Sequence, residues 1–410
     1  VHKLAQSTLV IIAAGLLLIL MLSAPLVPGD RLRSGAAAGV LLATIAPSAT
    51  SEAGGWAGLF APDPSATPTA TPLPEGLAIA TPEALGPRGQ AIDAYLTSLT
   101  DARLFQGSVL VALQGRIALA RGYGMADVAR GVPNTSQTRF RLASLTKAFT
   151  AAGIMILQQR GLVDLNASIC TYLDDCPDLW RGITVHHLLS HTSGVPNYTD
   201  FLDFEPTEMN HTTPDALVAR FRGAGVSFAP GSAYAYGNSA YVLAGRIIER
   251  VSGRPYADFI RDEIFIPLGM RASGYDTSMG GYSPELAIGY NNFDEPASFI
   301  DVSTLDSAGA LFSTVEDMYR WDRALASDQL LGAEQRTRMF TPGLRDYGYG
   351  WRIARPSGLL MISHPGDMTG ASTYISRFPE VDATVIVLSN MYWADAVGIG
   401  DHIANLLLGN

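Results

Sequence analysis

The sequence predicts an α+β fold. One antiparallel sheet, built from both termini of the folded region and flanked by helices, backs a mainly helical second lobe. Three observations predict it. Period-two apolar runs occur early in the folded region and again near its end. The stretch between them carries helical periodicity and loops, with little strand pattern. A Pro/Thr-rich segment separates all of this from an apolar N-terminal region.

Taken in order, residues 1–60 read as an export signal or membrane anchor. Leu9 to Val27 is nearly all apolar and long enough to cross a bilayer. A second apolar run, Ala36 to Ala46, is either a further membrane segment or the apolar part of a cleaved signal ending near Ala53. Residues 61–87 contain Ala-Pro-Asp-Pro-Ser-Ala-Thr-Pro, a composition that makes an extended tether and no core. Together they predict an extracytoplasmic protein, secreted or held at the membrane through its N-terminal segment.

The folded domain is expected over 88–410. Ala91 to Leu99 suits an amphipathic helix. Ser108-Val-Leu-Val-Ala-Leu, Gln114-Gly115 and Arg116-Ile-Ala-Leu-Ala form a hairpin pattern. A buried helix is expected from Ser144 to Gln159, and a short one over Val185 to His191. Leu243 to Val251 and Ala257 to Phe265 are the clearest later helices. Strands return at Tyr349 to Ile353, Leu359 to Ile362, Thr373 to Phe378 and Ala383 to Leu388, before a last helix from Asp395 to Leu408.

Composition excludes several classes. A net charge of −10 argues against nucleic acid as a partner. There is no GxGxxG after a strand, no GxxxxGK[ST] and no CxxC, so no cofactor is expected. The two cysteines, Cys170 and Cys176, flank a short loop. A disulfide is favoured over two free thiols if the domain is exported. His187 and His191 have metal-ligand spacing, but no nearby carboxylate or cysteine completes a site, and no metal is expected.

The chemistry centres on Ser144-Leu-Thr-Lys147. Residues three apart on a helix lie on one face, so the hydroxyl and the amine meet. The helix N-terminus favours the negative charge that a reacting serine develops. Lys3 and Lys147 are the chain's two lysines; every other basic side chain of this kind is arginine. Arginine cannot release its proton, whereas a desolvated lysine can. A second element is Tyr236-Gly-Asn238, where a phenol could relay a proton if nearby positive charge lowers its pKa. An Asn238 amide could bind a substrate carbonyl and anchor Lys147. The third, His364-Pro-Gly366, is expected at the end of the Leu359 strand. There, a backbone N–H could serve an oxyanion hole and the glycine could admit a substrate backbone.

In this order, Ser144-x-x-Lys147, Tyr236-x-Asn238 and His364-x-Gly366 resemble the serine β-lactamase and penicillin-binding protein superfamily. The class C-like branch, with its D,D-carboxypeptidases, D-aminopeptidases and esterases, is the most similar. His187-Leu-Leu-Ser-His-Thr-Ser-Gly-Val-Pro196, Pro267-Leu-Gly-Met270 and the segment from Ala308 to Asp317 also match. The resemblance covers about residues 90–410 and implies a β-lactamase/transpeptidase-like fold.

It further implies an acyl-enzyme on Ser144, Lys147 as base, and Tyr236 as proton shuttle. Asn238, His364 and Gly366 would contact substrate. The oxyanion hole would be the backbone N–H of Ser144 and of Asp367. The implied substrate is a small molecule or peptide: a D-amino acid peptide, an ester or a β-lactam. Many β-lactamases carry Lys where His364 stands. A histidine there is expected to be only partly charged at neutral pH, beside the negative Asp367. Efficient β-lactam hydrolysis is therefore not expected to be the main activity. The alternative reading is a penicillin-recognising module that binds without turnover. A Ser-His-Asp hydrolase is disfavoured, because no Gly-x-Ser-x-Gly elbow is present.

Overall fold

The structure is a computed structural model and describes residues 86–277 and 286–409. The apolar region expected to direct export, and the tether up to residue 85, lie outside the described residues.

Eleven strands occur among the described residues. The first hairpin is β1 (Gly107–Leu113) and β2 (Arg116–Tyr123). Its turn residues, Gln114 and Gly115, both have positive φ, 52° and 71°, the combination that matches the twist of paired strands. Two short pieces follow, β3 (Met125–Asp127) and β4 (Val132–Pro133). A small sheet combines β5 (Phe140–Arg141), β6 (Gly274–Tyr275) and β7 (Leu311–Ser313). The last four are β8 (Arg352–Ala354), β9 (Met361–Met368), β10 (Ala371–Phe378) and β11 (Ala383–Ser389). The main sheet has the order β2-β1-β11-β10-β9-β8. Antiparallel pairing of β1 with β11, from Gly107↔Ser389 to Leu113↔Ala383, joins the two ends of the domain as expected.

The sheet is covered on both faces, which is why β11 reads Ala-Thr-Val-Ile-Val-Leu-Ser and is buried throughout. Helices α1 (Pro87–Asp101) and α9 (Ala396–Leu408) pack on the face carrying Val109, Val111, Val385 and Val387. The opposite face, with Leu110, Ile375 and Ile386, meets α2 (Thr146–Gln159) and α7 (Val315–Leu325). Between them α3 (Val185–Leu189), α4 (Pro214–Arg222), α5 (Asn238–Ser252), α6 (Tyr256–Ile260) and α8 (Ala333–Met339) form the helical part. Helix α2 is the axis of this part. Thr146 through Leu157 are all buried, so it needs no polar face.

Three details differ from the sequence reading. The small β5-β7-β6 sheet was not anticipated, because strands of two or three residues leave no period to detect. The strand expected from Tyr349 begins only at Arg352. Gly350 sits in a left-handed turn (φ 78°) against α2, where an added Cβ would lie 2.8 Å from the Lys147 carbonyl oxygen. Finally, His364-Pro-Gly366 lies inside β9, not at a strand end. Residues 362–368 pair along β10, and Pro365 is tolerated because β8 reaches only as far as Ser363. Cys170 and Cys176 form a disulfide.

Candidate active site

Ser144 lies in a single 3-10 turn, Ala143–Leu145, that leads into α2. Ala143 takes positive φ (48°), a conformation that costs a non-glycine residue on the order of 1 kcal/mol. The turn is pinned against β9. Gly366 faces it so closely that a Cβ there would lie 2.4 Å from the Leu142 carbonyl oxygen and 3.1 Å from the Ser144 amide nitrogen. Thr373 of β10 completes the contact, its hydroxyl donating to the Leu142 carbonyl at 3.0 Å. Gly366 therefore accommodates the nucleophile turn, and its bare Cα faces Leu142 and Thr373 instead of a substrate.

Lys147 is fully buried, one helical turn on. Its Nζ donates to Ser144 Oγ at 3.0 Å, to Asn238 Oδ1 at 2.8 Å and to the Ala308 carbonyl at 3.0 Å. Three acceptors match the three protons of an ammonium. Burial alone lowers its pKa to about 7. When the amine is neutral it has two protons and a lone pair. Asn238 Oδ1 and the Ala308 carbonyl can only accept, so the lone pair falls to Ser144, the one partner able to donate back.

Tyr236 precedes α5, and Ser144 acts on its phenol in the sense that lowers its pKa. Lys147 Nζ lies 4.9 Å from the centre of its ring. The expectation that positive charge lowers this phenol's pKa is reversed. Burial pushes it well up, and Ser144 offsets only part of that. Tyr236 thus keeps its proton at neutral pH and can give it up only to a strong acceptor. Asn238 is held by its neighbours: its amide N–H donates to Asn197 Oδ1 at 2.9 Å and its Nδ2 to Thr199 Oγ1 at 3.2 Å.

His364 is fully buried behind Tyr236, with ring centres 6.2 Å apart. Its Nδ1 contacts the Pro365 carbonyl at 2.6 Å, which fixes the proton there and leaves Nε2 to accept from Tyr347 Oη at 2.9 Å. Burial, and after it the Lys147 charge, push its pKa down to about 3. The expected partly charged histidine facing a substrate is corrected on both counts: His364 is neutral, and both its nitrogens are occupied by protein.

An open cleft of about 670 Å³ reaches Ser144, Asn238 and Ala308. Asp367 lines it where β9 ends, and Thr199, Phe204, Glu208 and Tyr392 form other parts of its wall. Among the described residues, two carboxylates and no Lys, Arg or His line it. Sequence reasoning had assigned no role to the Ala308 carbonyl, Asn197 or Thr199. A backbone carbonyl has no sequence signature, and polar side chains on an irregular loop follow no period that would mark them. His187, paired in the sequence with His191 as a possible metal ligand, instead caps its own helix, its Nδ1 accepting from the Thr184 amide at 3.2 Å.

A buried lysine beside a partly exposed serine and tyrosine, at the seam of a sheet and a helical lobe, defines a serine hydrolase of the β-lactamase/transpeptidase type. The comparisons agree: the model of the Beta-lactamase family matches residues 92–405, and the chain belongs to that family. Penicillin-binding protein 4* of Bacillus subtilis is 31% identical over 327 residues, covering 73% of this chain and 71% of that protein. The crystal structure of a penicillin binding protein from Bacillus halodurans superposes with a TM-score of 0.69 at 28% identity, over 76% of this chain and 99% of that one. D-amino acid amidase from Ochrobactrum anthropi SV3, solved in complex with D-phenylalanine, gives 0.69 at 26% identity, over 78% and 99%.

Proposed function

We propose that the protein is an exported hydrolase that forms an acyl-enzyme on Ser144 and acts on amides or esters of amino acids, D-amino acid amides and peptides foremost. The observation that carries this is the Lys147 environment: a buried amine with pKa about 7 whose one reversible partner is Ser144 Oγ, 3.0 Å away. Neutral Lys147 takes the Ser144 proton as Oγ attacks the substrate carbonyl. The backbone N–H groups of Ser144 and Asp367 receive the developing oxyanion. The Tyr236 phenol gives its proton to the leaving nitrogen or oxygen and recovers one from the Lys147 ammonium. Water then cleaves the ester by the reverse sequence.

The cleft's charge supports the substrate class. Among the described residues that line it are Glu208 and Asp367 and no cationic side chain, and neutral His364 offers no charge to a substrate carboxylate. An acceptor of this kind suits a substrate with a free ammonium better than one with a carboxylate. Export is supported by the Cys170–Cys176 disulfide, a bond that persists in oxidising compartments, and by the apolar N-terminal sequence.

The test is labelling of wild type and Ser144→Ala with a fluorescent penicillin and a fluorophosphonate, followed by a panel of nitrocefin, short-chain esters and D-amino acid amides. The expected result is Ser144-dependent labelling, turnover of amides with a free amino group, and weak nitrocefin hydrolysis. Labelling that survives Ser144→Ala overturns the nucleophile. Acylation without turnover of any substrate points instead to a penicillin-recognising binding module, and nitrocefin turnover at the rate of a dedicated lactamase overturns the substrate class.

A further inference from the structure

His191 has no part in the chemistry above, yet it touches the catalytic seam at several points. It ends the turn after α3 with positive φ (57°), a conformation that histidine adopts more readily than most residues. This bend turns two acceptors towards one stretch of chain. The His191 carbonyl accepts from the Ala235 amide at 2.9 Å, and its imidazole Nδ1 accepts from the Gly237 amide at 3.4 Å. These are the amides on either side of Tyr236. The ring itself lies 4.4 Å from the Tyr236 ring, centre to centre, and 5.0 and 4.8 Å from those of Tyr241 and Tyr347.

We propose that His191 is a positioning residue for Tyr236, gripping the backbone on both sides of the tyrosine and packing on its ring so that the phenol stays at Ser144. The inference rests on the reading of Ser144 as nucleophile. Only neutral imidazole can accept at Nδ1, so the proton sits on Nε2. That nitrogen is buried among the tyrosines and has no hydrogen-bond partner among the described residues. Burial, and after it the charge of Lys147 from α2, keep the ring neutral; His364 from β9 and the rings of Tyr234, Tyr236, Tyr241 and Tyr347 also face it.

The experiment compares His191→Ala, which removes the Nδ1 acceptor, with His191→Asn, which offers an amide oxygen in its place and tolerates the same φ. Both are made in the full chain. The readouts are thermal midpoint, fluorophosphonate labelling rate against pH, and kcat and KM on p-nitrophenyl acetate. A displaced phenol costs roughly tenfold to a hundredfold in rate. We expect that loss in kcat and labelling for His191→Ala, with KM within about threefold and the pH profile of labelling displaced, because Tyr236 no longer meets Ser144 and Lys147 in the same way. His191→Asn should recover the wild-type rate to within about threefold. A folded His191→Ala with wild-type kcat, one impaired in KM alone, or a folded His191→Asn as slow as the alanine variant overturns the proposal. If the alanine variant does not fold, the asparagine variant decides by the same criterion. Ser144→Ala runs in parallel: labelling that persists there defeats the nucleophile assignment itself, whatever the His191 variants do.

Discussion

A lysine amine in water keeps its proton to about pH 10.4, so a lysine that serves as a base at neutral pH has to be removed from water. Lys147 meets that condition by burial, with no neighbouring cation needed to lower its pKa to about 7. Its role predicts a pH profile. The neutral amine is the active form, so kcat/KM should fall as pH drops below about 7, with one proton taken up by the free enzyme. Lys147→Arg keeps a cation but cannot lose its proton, and should lower kcat/KM by about a thousandfold with Ser144 still in place. A pH–rate series of wild type on a fixed ester checks the first point; an acid limb near pH 5, or none, would mean another group is the base. At this scale the sequence was legible where chemistry names a residue type. Ser144, Lys147, Tyr236 and Asn238 meet as read. His364 was legible as a motif but not in its orientation. Which face of β9 it occupies depends on a register with β10 that no local signal sets.

Short, irregular elements do much of the positioning. The turn Asp306–Ala308 carries the Ala308 carbonyl to Lys147 and the Ser307 carbonyl to Thr150 Oγ1 on α2, 2.6 Å away. It is held by a buried carboxyl: Asp306 accepts from Tyr275 Oη at 3.0 Å and, like Ala143, has positive φ (42°). Burial, then nearby Glu249, raise the Asp306 pKa to about 6. Its folded pKa lies above the unfolded value, so the folded chain binds this proton more tightly. Stability from this group is present near pH 4, falls as pH rises towards 6 and is lost above it; the difference is on the order of 3 kcal/mol. Asp306→Asn keeps an acceptor for Tyr275 and suits the backbone, so it should stabilise the protein at pH 8 and much less at pH 5. Urea unfolding at both pH values checks this, and an equal change at both would show that the carboxyl's charge is not the cause. None of this could be read from sequence. The helices and long strands declared themselves by period, but this turn has three residues, and its work is done by carbonyl oxygens that every residue carries.

The main sheet is closed by chain ends, which makes the catalytic seam depend on both. β1 pairs with β11, and the outer face is covered by the first and last helices together. Arg88 Nη1 of α1 donates to the Leu407 carbonyl of α9 at 2.9 Å, and Tyr374 Oη of β10 donates to Asp401 Oδ1 at 3.0 Å. Gly400 admits the Tyr374 ring, since a Cβ there would stand 2.4 Å from a ring carbon. On the inner face Asp322 of α7 ties β10 and β11 through Arg377 and through Thr384 Oγ1 at 3.0 Å. Ile399, Ile403 and Leu407 of α9 are buried against the sheet. At about 1.5–3 kcal/mol for each large apolar side chain, their loss approaches the net stability of a typical domain, about 5–15 kcal/mol. β10 also carries Thr373, which pins the Ser144 turn, so damage to the outer layer should reach the nucleophile. A chain ending at Asp395 should therefore lose cooperative unfolding and fluorophosphonate labelling together. A chain beginning at Gly86 keeps every contact described, and should retain both, with a thermal midpoint within about 2 °C of the full chain. Calorimetry and labelling of the two truncations decide the matter: if the chain ending at Asp395 still unfolds in one sharp transition and labels at the wild-type rate, the inner face and helical lobe hold the seam without the layer that α1 and α9 supply.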